Sequence, residues 1–202
     1  GQIATAAVGS IQRRSLADPM ARVAWGLVVG TIPGAVAGVL LEDWFETLFG
    51  MPRAAAAFLF VTAGLLLIAE YTRNAQRPMT AISWLDALLI GLAQMLAIIP
   101  GISRSGSTIS AGMLLGFRRE EAARFSFLLG VPIMIGTGLY QIYKLATGAV
   151  VGTPAGVILL GMLAAAMAGY VAIAGLLALV KRRSLVGFSI YCALFGTLVL
   201  TG

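Results

Sequence analysis

The chain has 202 residues, 59% of them apolar and only 11% charged, with a mean hydropathy of +0.96. A soluble domain carries about 45–50% apolar and ~25% charged residues, so this composition excludes one and reads as an integral membrane protein. The net charge of +6 is then a matter of topology and lipid contact rather than of nucleic-acid binding, and no basic stripe interleaved with aromatics is present.

The absence of histidine removes the commonest general base and the commonest zinc ligand. Cys192, the only cysteine, lies in an apolar run and leaves no disulfide framework. Gly1 to Ile11 is a short apolar piece followed by Arg13 and Arg14. It reads as the end of a transmembrane helix, and the chain is expected to be a fragment. Val23 to Leu41 is long enough to cross a ~30 Å hydrocarbon core. Pro33 predicts a kink in it, and Gly30, Gly34 and Gly38 permit close helix contacts. Glu42, Asp43 and Glu46 follow with Trp44 and Phe45; no further ligand is nearby, so a solvated loop is expected rather than a metal site. Ala54 to Glu70 is the next span, with Glu70 either solvated or paired with Arg73. Asn74 to Ser83 reads as a loop.

Trp84 to Ile99 is apolar apart from Asp86 and Gln94, for which helix-end and packing roles are expected. As a helix it is only ~24 Å long, and Thr108 to Gly116 only ~14 Å. Neither half spans the bilayer comfortably; together they predict a helix–turn–helix that enters and returns on one side. Phe117-Arg118-Arg119 reads as a basic loop, Glu120 and Glu121 open a helix running to about Tyr143, and Ala155–Val180 and Val186–Leu200 are the last spans.

Between the two short halves lies Pro100-Gly101-Ile102-Ser103-Arg104-Ser105-Gly106-Ser107-Thr108, with four hydroxyls and one guanidinium in its last six residues. This is the one charge set between two strongly apolar segments with no loop to solvate it. An ionisable group at membrane depth is costly and marks a functional site by default. Hydroxyls and free amides at a helix start form an anion site, and a guanidinium adds planar, bidentate contact with phosphate oxygens. The structural alternative is a Gly/Ser turn with Arg104 snorkelling to the headgroups.

The stretch PGISRSGSTIS resembles the undecaprenyl-diphosphatase family, the bacitracin-resistance membrane phosphatases. Gly64 to Glu70 and Glu121 to Leu129 fit the same family, and the resemblance runs through nearly the whole chain. It implies an all-α polytopic protein of the bacterial inner membrane, built from inverted-topology repeats with re-entrant helix hairpins. It also implies hydrolysis of undecaprenyl diphosphate to the monophosphate and inorganic phosphate, which recycles the lipid carrier of peptidoglycan synthesis and confers bacitracin resistance. On that resemblance Arg104 holds diphosphate oxygens and stabilises developing charge, Ser103 is a binding residue or, less favoured, a nucleophile, and Ser105, Gly106, Ser107 and Thr108 contact substrate. The family is associated with a divalent cation, Mg or Ca, for which no ligands are identified in this chain. The family's first motif, with its glutamates and a Ser-Ser-Thr-Gly-His turn, has no counterpart here, so this chain alone is expected to be inactive. Partners are the polyprenyl diphosphate lipid and the bilayer, with no nucleic acid; a homodimer is left open. The competing readings are a transporter or flippase of the same lipid or an anion, since re-entrant half-helices facing an anion are also a transporter design, and a structural subunit.

Charge narrows the predicted topology of Trp84 to Gly116 to a re-entrant hairpin or two full crossings, and the short helices favour the hairpin. If Trp84 to Gly116 makes no net crossing, eleven of the 14 basic residues fall on one side, only Arg53 and Lys144 on the other, and Arg104 in the turn. That is the bias of a cytoplasmic face. A single crossing would destroy it. Three spans before Asn74 and three after the hairpin then have opposite orientation, as in an inverted repeat. The expected organisation is a single membrane domain over 1–202, with 1–73 the C-terminal part of a first repeat and 84–202 a second repeat carrying the hairpin 84–116.

Overall fold

A computed structural model describes residues 2–13, 18–72, 76–147 and 155–201. Its long elements are all helices: α1 (Gln2–Arg13), α2 (Pro19–Leu40), α3 (Glu42–Phe49), α4 (Pro52–Thr72), α5 (Trp84–Leu96), α6 (Arg104–Leu114), α7 (Arg119–Ala146), α8 (Ala155–Arg182) and α9 (Val186–Thr201). Four of them, α2, α4, α7 and α8, are long and apolar enough to cross a membrane. At 1.5 Å per residue, α5 and α6 reach only about 20 and 17 Å. The chain is an all-α, multi-pass membrane protein.

The two short helices form the expected hairpin, and Arg77 closes it. Its guanidinium donates to Asp86 Oδ2 at 2.7 Å near the start of α5, and to the Leu115 carbonyl at 2.8 Å just past the end of α6. It also donates to the Ala81 carbonyl and lies 4.5 Å over the Phe117 ring. The backbone repeats the closure: the N–H groups of Gln76 and Arg77 donate to Gly116 O, and Arg118 N–H donates to Arg77 O. Entry and exit of the hairpin are therefore side by side. Asp86 also completes a capping box with Ser83 at the start of α5, the helix-end role its position suggests.

The hairpin is wedged among α2, α4 and α7. Val23, Leu66, Ile90, Met113, Phe125 and Leu129 make up much of the buried core around it. Along α2, Gly26, Gly30 and Gly34 meet α5 or α7 once per turn. At the tightest point a side chain on Gly91 would overlap the Gly30 backbone, 2.8 Å from its Cα, so the two helices touch main chain to main chain. Helix α2 is capped by Asp18, which accepts from Met20 N–H, and runs on through Pro33.

Three expectations change. The acidic stretch after α2 is helix α3 rather than a loop: Glu42 and Asp43 fall in its first turn, where the helix dipole favours negative charge. The side chains of Glu42, Asp43 and Glu46 lie outside the described residues. Arg119 is the first residue of α7 and points inward rather than lying in a basic loop. It meets Glu70, at the end of α4, at 3.0 Å, and donates to the carbonyls of Val180 and Arg183 at the end of α8. Glu70 is buried, and its second oxygen accepts from Leu185 N–H ahead of α9. The alternative partner Arg73 lies outside the described residues. Glu120 pairs with Lys181 at 3.0 Å and Arg124 at 2.7 Å. The ends of α4, α5, α6, α7, α8 and α9 named here thus gather at one end of the molecule with most of its described basic residues.

Candidate anion site at the hairpin tip

Residues 97–103 form the tip between α5 and α6 and lean on the N-terminal half of α4. Gly101 has φ +89°, a conformation that favours glycine, and a side chain there would collide with the Ala55 carbonyl. Lower on α4, the Thr62 hydroxyl donates to Gly101 O at 3.0 Å and accepts from Ser103 N–H at 2.9 Å. Thr62 thus fixes both sides of the turn from outside the motif.

The turn opens directly into α6. Ser103 is the N-cap: its Oγ accepts from Gly106 N–H at 3.1 Å and lies 3.5 Å from the Ser105 hydroxyl. The N–H groups of Arg104 and Ser105 have no acceptor among the described residues. They lie at the positive end of the helix dipole, where an anion is favoured. Gly106 sits too close to Ser103 and Thr62 to carry a side chain without a shift. The Thr108 hydroxyl is fully buried, donating to Arg104 O at 2.8 Å and sharing a 2.6 Å hydrogen bond with Ser126 of α7. Ser107 is buried, and its hydroxyl has no partner among the described residues.

Arg104 is the centre of the arrangement. Its side chain runs to α7 and rests on Gly130: a methyl there would lie 2.8 Å from one terminal nitrogen and 2.9 Å from Cζ. The guanidinium is half-buried and, among the described residues, faces neither a carboxylate nor any other hydrogen-bond acceptor. A cation held at membrane depth without a counter-ion is a site prepared for an anion.

Around it the sequence-derived residues divide. Arg104, Ser103, Ser105 and the first amides of α6 sit together at the tip. Gly106 serves the turn, and Ser107 and Thr108 point into packed surroundings. Thr62, Ser126 and Gly130 escaped sequence reasoning as parts of this site. Gln94, near the end of α5, is a further surprise. It is only 2% exposed, and neither its Oε1 nor its Nε2 has a partner among the described residues. Leaving a buried polar group unsatisfied costs about 1–3 kcal/mol.

No group of three or more His, Cys, Asp or Glu among the described residues is placed to hold a metal ion. The tip offers hydroxyls, amides and a cation, which do not fit a divalent cation.

Comparison with known proteins supplies a context for this geometry. The family described as bacitracin resistance protein BacA matches residues 1–198. A protein of Methanosphaera stadtmanae named undecaprenyl-diphosphatase is 42% identical over 182 residues, which is 90% of this chain and 65% of that protein. One of the same name from Methanothermobacter thermautotrophicus is 45% identical over 177 residues, 86% of this chain and 97% of its own length. A third, from Methanobrevibacter smithii, is 39% identical over 186 residues, 92% of this chain and 66% of that protein. The chain thus spans about two thirds of the first and third relatives and nearly all of the second. With a match across almost every residue, the tip and the helices that hold it included, the chain belongs to the bacitracin resistance protein BacA family.

Proposed function

We propose that this protein hydrolyses undecaprenyl diphosphate to undecaprenyl phosphate and inorganic phosphate, as a multi-pass enzyme of the bacterial inner membrane. The activity would return the lipid carrier to peptidoglycan synthesis and confer bacitracin resistance. One observation carries the reading from the structure: Arg104, a half-buried guanidinium without a counter-ion, set at the start of a helix whose first amides are free. The names of the relatives favour hydrolysis over transport.

In this reading Arg104 makes a bidentate contact with nonbridging phosphate oxygens and opposes the charge that develops as the P–O–P bond breaks. The Ser105 hydroxyl and the N–H groups of Arg104 and Ser105 share that load. Ser103 sets the geometry, since its Oγ is committed to capping α6, which favours a binding role over a nucleophilic one. Water contributes the oxygen that adds to phosphorus, and the prenyl phosphate leaves. The sequence has no histidine, and the described residues around Arg104 include no carboxylate, so no general base is assigned to this chain. The prenyl tail lies along the apolar helix faces.

The test is phosphate release from a prenyl diphosphate in detergent, where no compartment exists and transport gives no signal, by this chain beside a polypeptide that also carries the family's first motif, in which the Arg104 variants are made. Arg104→Lys should lose most turnover and Arg104→Ala nearly all, a fall of ~10²–10³ typical for loss of a preorganised donor, with expression and fold retained. Near-normal hydrolysis by Arg104→Ala returns the motif to a structural turn.

A further inference from the structure

Gln94 belongs to a junction of three helices. It follows Ala87 and Gly91 along the face of α5 that packs on α2. Opposite it is Gly34, where an added methyl would lie 3.8 Å from Gln94 Nε2 and 3.2 Å from Ile133 Cδ1 of α7. Arg104 reaches the same helix at Gly130. Gly130 and Ile133 are three residues apart, about 4.5 Å along the axis. Ile133, which flanks Gly34 on the other side from the Gln94 amide, and Gly130, which meets the Arg104 guanidinium, therefore lie within one turn of each other on α7, while Gln94 and Arg104 stand on opposite arms of the hairpin, both close to its tip.

Two features separate Gln94 from ordinary packing. Its amide is all but fully buried, and both its donor and its acceptor lack partners among the described residues. An apolar residue of similar length would fill the space without that penalty, so packing alone gives no reason for an amide here. Resting on the reading of the tip as a lipid diphosphate site, we infer that Gln94 is a second substrate-binding residue, whose amide holds the phosphate on the side opposite the free amides of α6. Nε2 donates to a nonbridging oxygen, and Oε1 accepts from a proton-bearing phosphate oxygen. An arginine reads only negative charge; an amide with both halves in use reads a phosphate that still carries a proton.

The experiment separates binding from packing by the sign of two responses. Gln94→Met keeps the length of the side chain and removes both unsatisfied groups. Measured on the native protein in detergent, its Tm should hold or rise. KM for farnesyl diphosphate should increase about 10–100-fold, the range for a hydrogen bond to a charged group, while kcat stays within a few-fold, the mark of a contact made equally in ground and transition states. Direct binding of methylenebisphosphonate, which is not hydrolysed, should weaken in parallel. Unchanged KM and bisphosphonate affinity overturn the assignment, and so does a drop in Tm shared by Gln94→Met and Gln94→Leu, since the amide would then be serving the fold. If the native protein binds the bisphosphonate but releases no phosphate, hydrolysis is refuted while the role of Gln94 is still decided by the binding arm. Failure of the native protein to bind either compound refutes both.

Discussion

A methyl group at position 130 would stand where the Arg104 guanidinium now lies. The obstacle is the far end of a flexible side chain, so Gly130→Ala leaves packing free to adjust by moving that end. The expected result is a separation of effects: Tm in detergent unchanged, and turnover reduced about 10²-fold, the scale of a roughly 1 Å misplacement of a reacting group. A parent-like rate in Gly130→Ala would mean that the guanidinium does not work from this seat. At this scale the sequence shows Arg104 because its charge is out of keeping with both flanks. It does not show Gly130, one glycine among 25. Nor does it show Thr62, which reaches Ser103 across 41 positions. A side chain that matters through what it lacks, or through a partner far along the chain, leaves no local signal.

Among elements, the contact of α2 with α5 is the least forgiving. Backbone meets backbone at Gly30 and Gly91, and neither can turn aside as a side chain does. Gly91→Ala should therefore separate the helices at a cost of about 1–3 kcal/mol, the usual range for overpacking, read as a lower Tm with the hydrolytic rate per folded molecule falling too, because α5 carries the hairpin. An unaltered Tm would show that α2 can shift. The hairpin itself was legible: two apolar segments too short to cross comfortably, and a charge count that collapses if the stretch crosses once. Helix α3 was missed because three acids in five residues suggest a loop, although two of them fall in the first turn, where a helix favours them. The inward turn of Arg119 was hidden for a different reason. Next to Arg118 it looks like one more cytoplasmic cation, and only the arrival of α4 and α8 at the same place gives it Glu70 and two carbonyls.

The whole molecule is polarised along its length. One end gathers most of the described basic residues and the ion pairs of Arg77, Arg119 and Glu120, the end that the positive-inside rule assigns to the cytoplasm. The tip, by contrast, lies between Ala55 and Thr62, beside the outer half of α4. That depth has an electrical meaning. A resting cell is negative inside, and a full crossing of 100 mV changes the energy of one elementary charge by about 2.3 kcal/mol. An anion reaching Arg104 from the outer face moves against part of that drop, whereas one reaching it from the cytoplasm moves with the remainder. In proteoliposomes of known orientation, held at an inside-negative potassium diffusion potential, a headgroup that enters from the outer face should show an apparent affinity that falls as the voltage grows. A rise instead would mean that the headgroup enters from the basic end. The position of a turn along a neighbouring helix would thus make the proposed hydrolysis sensitive to voltage.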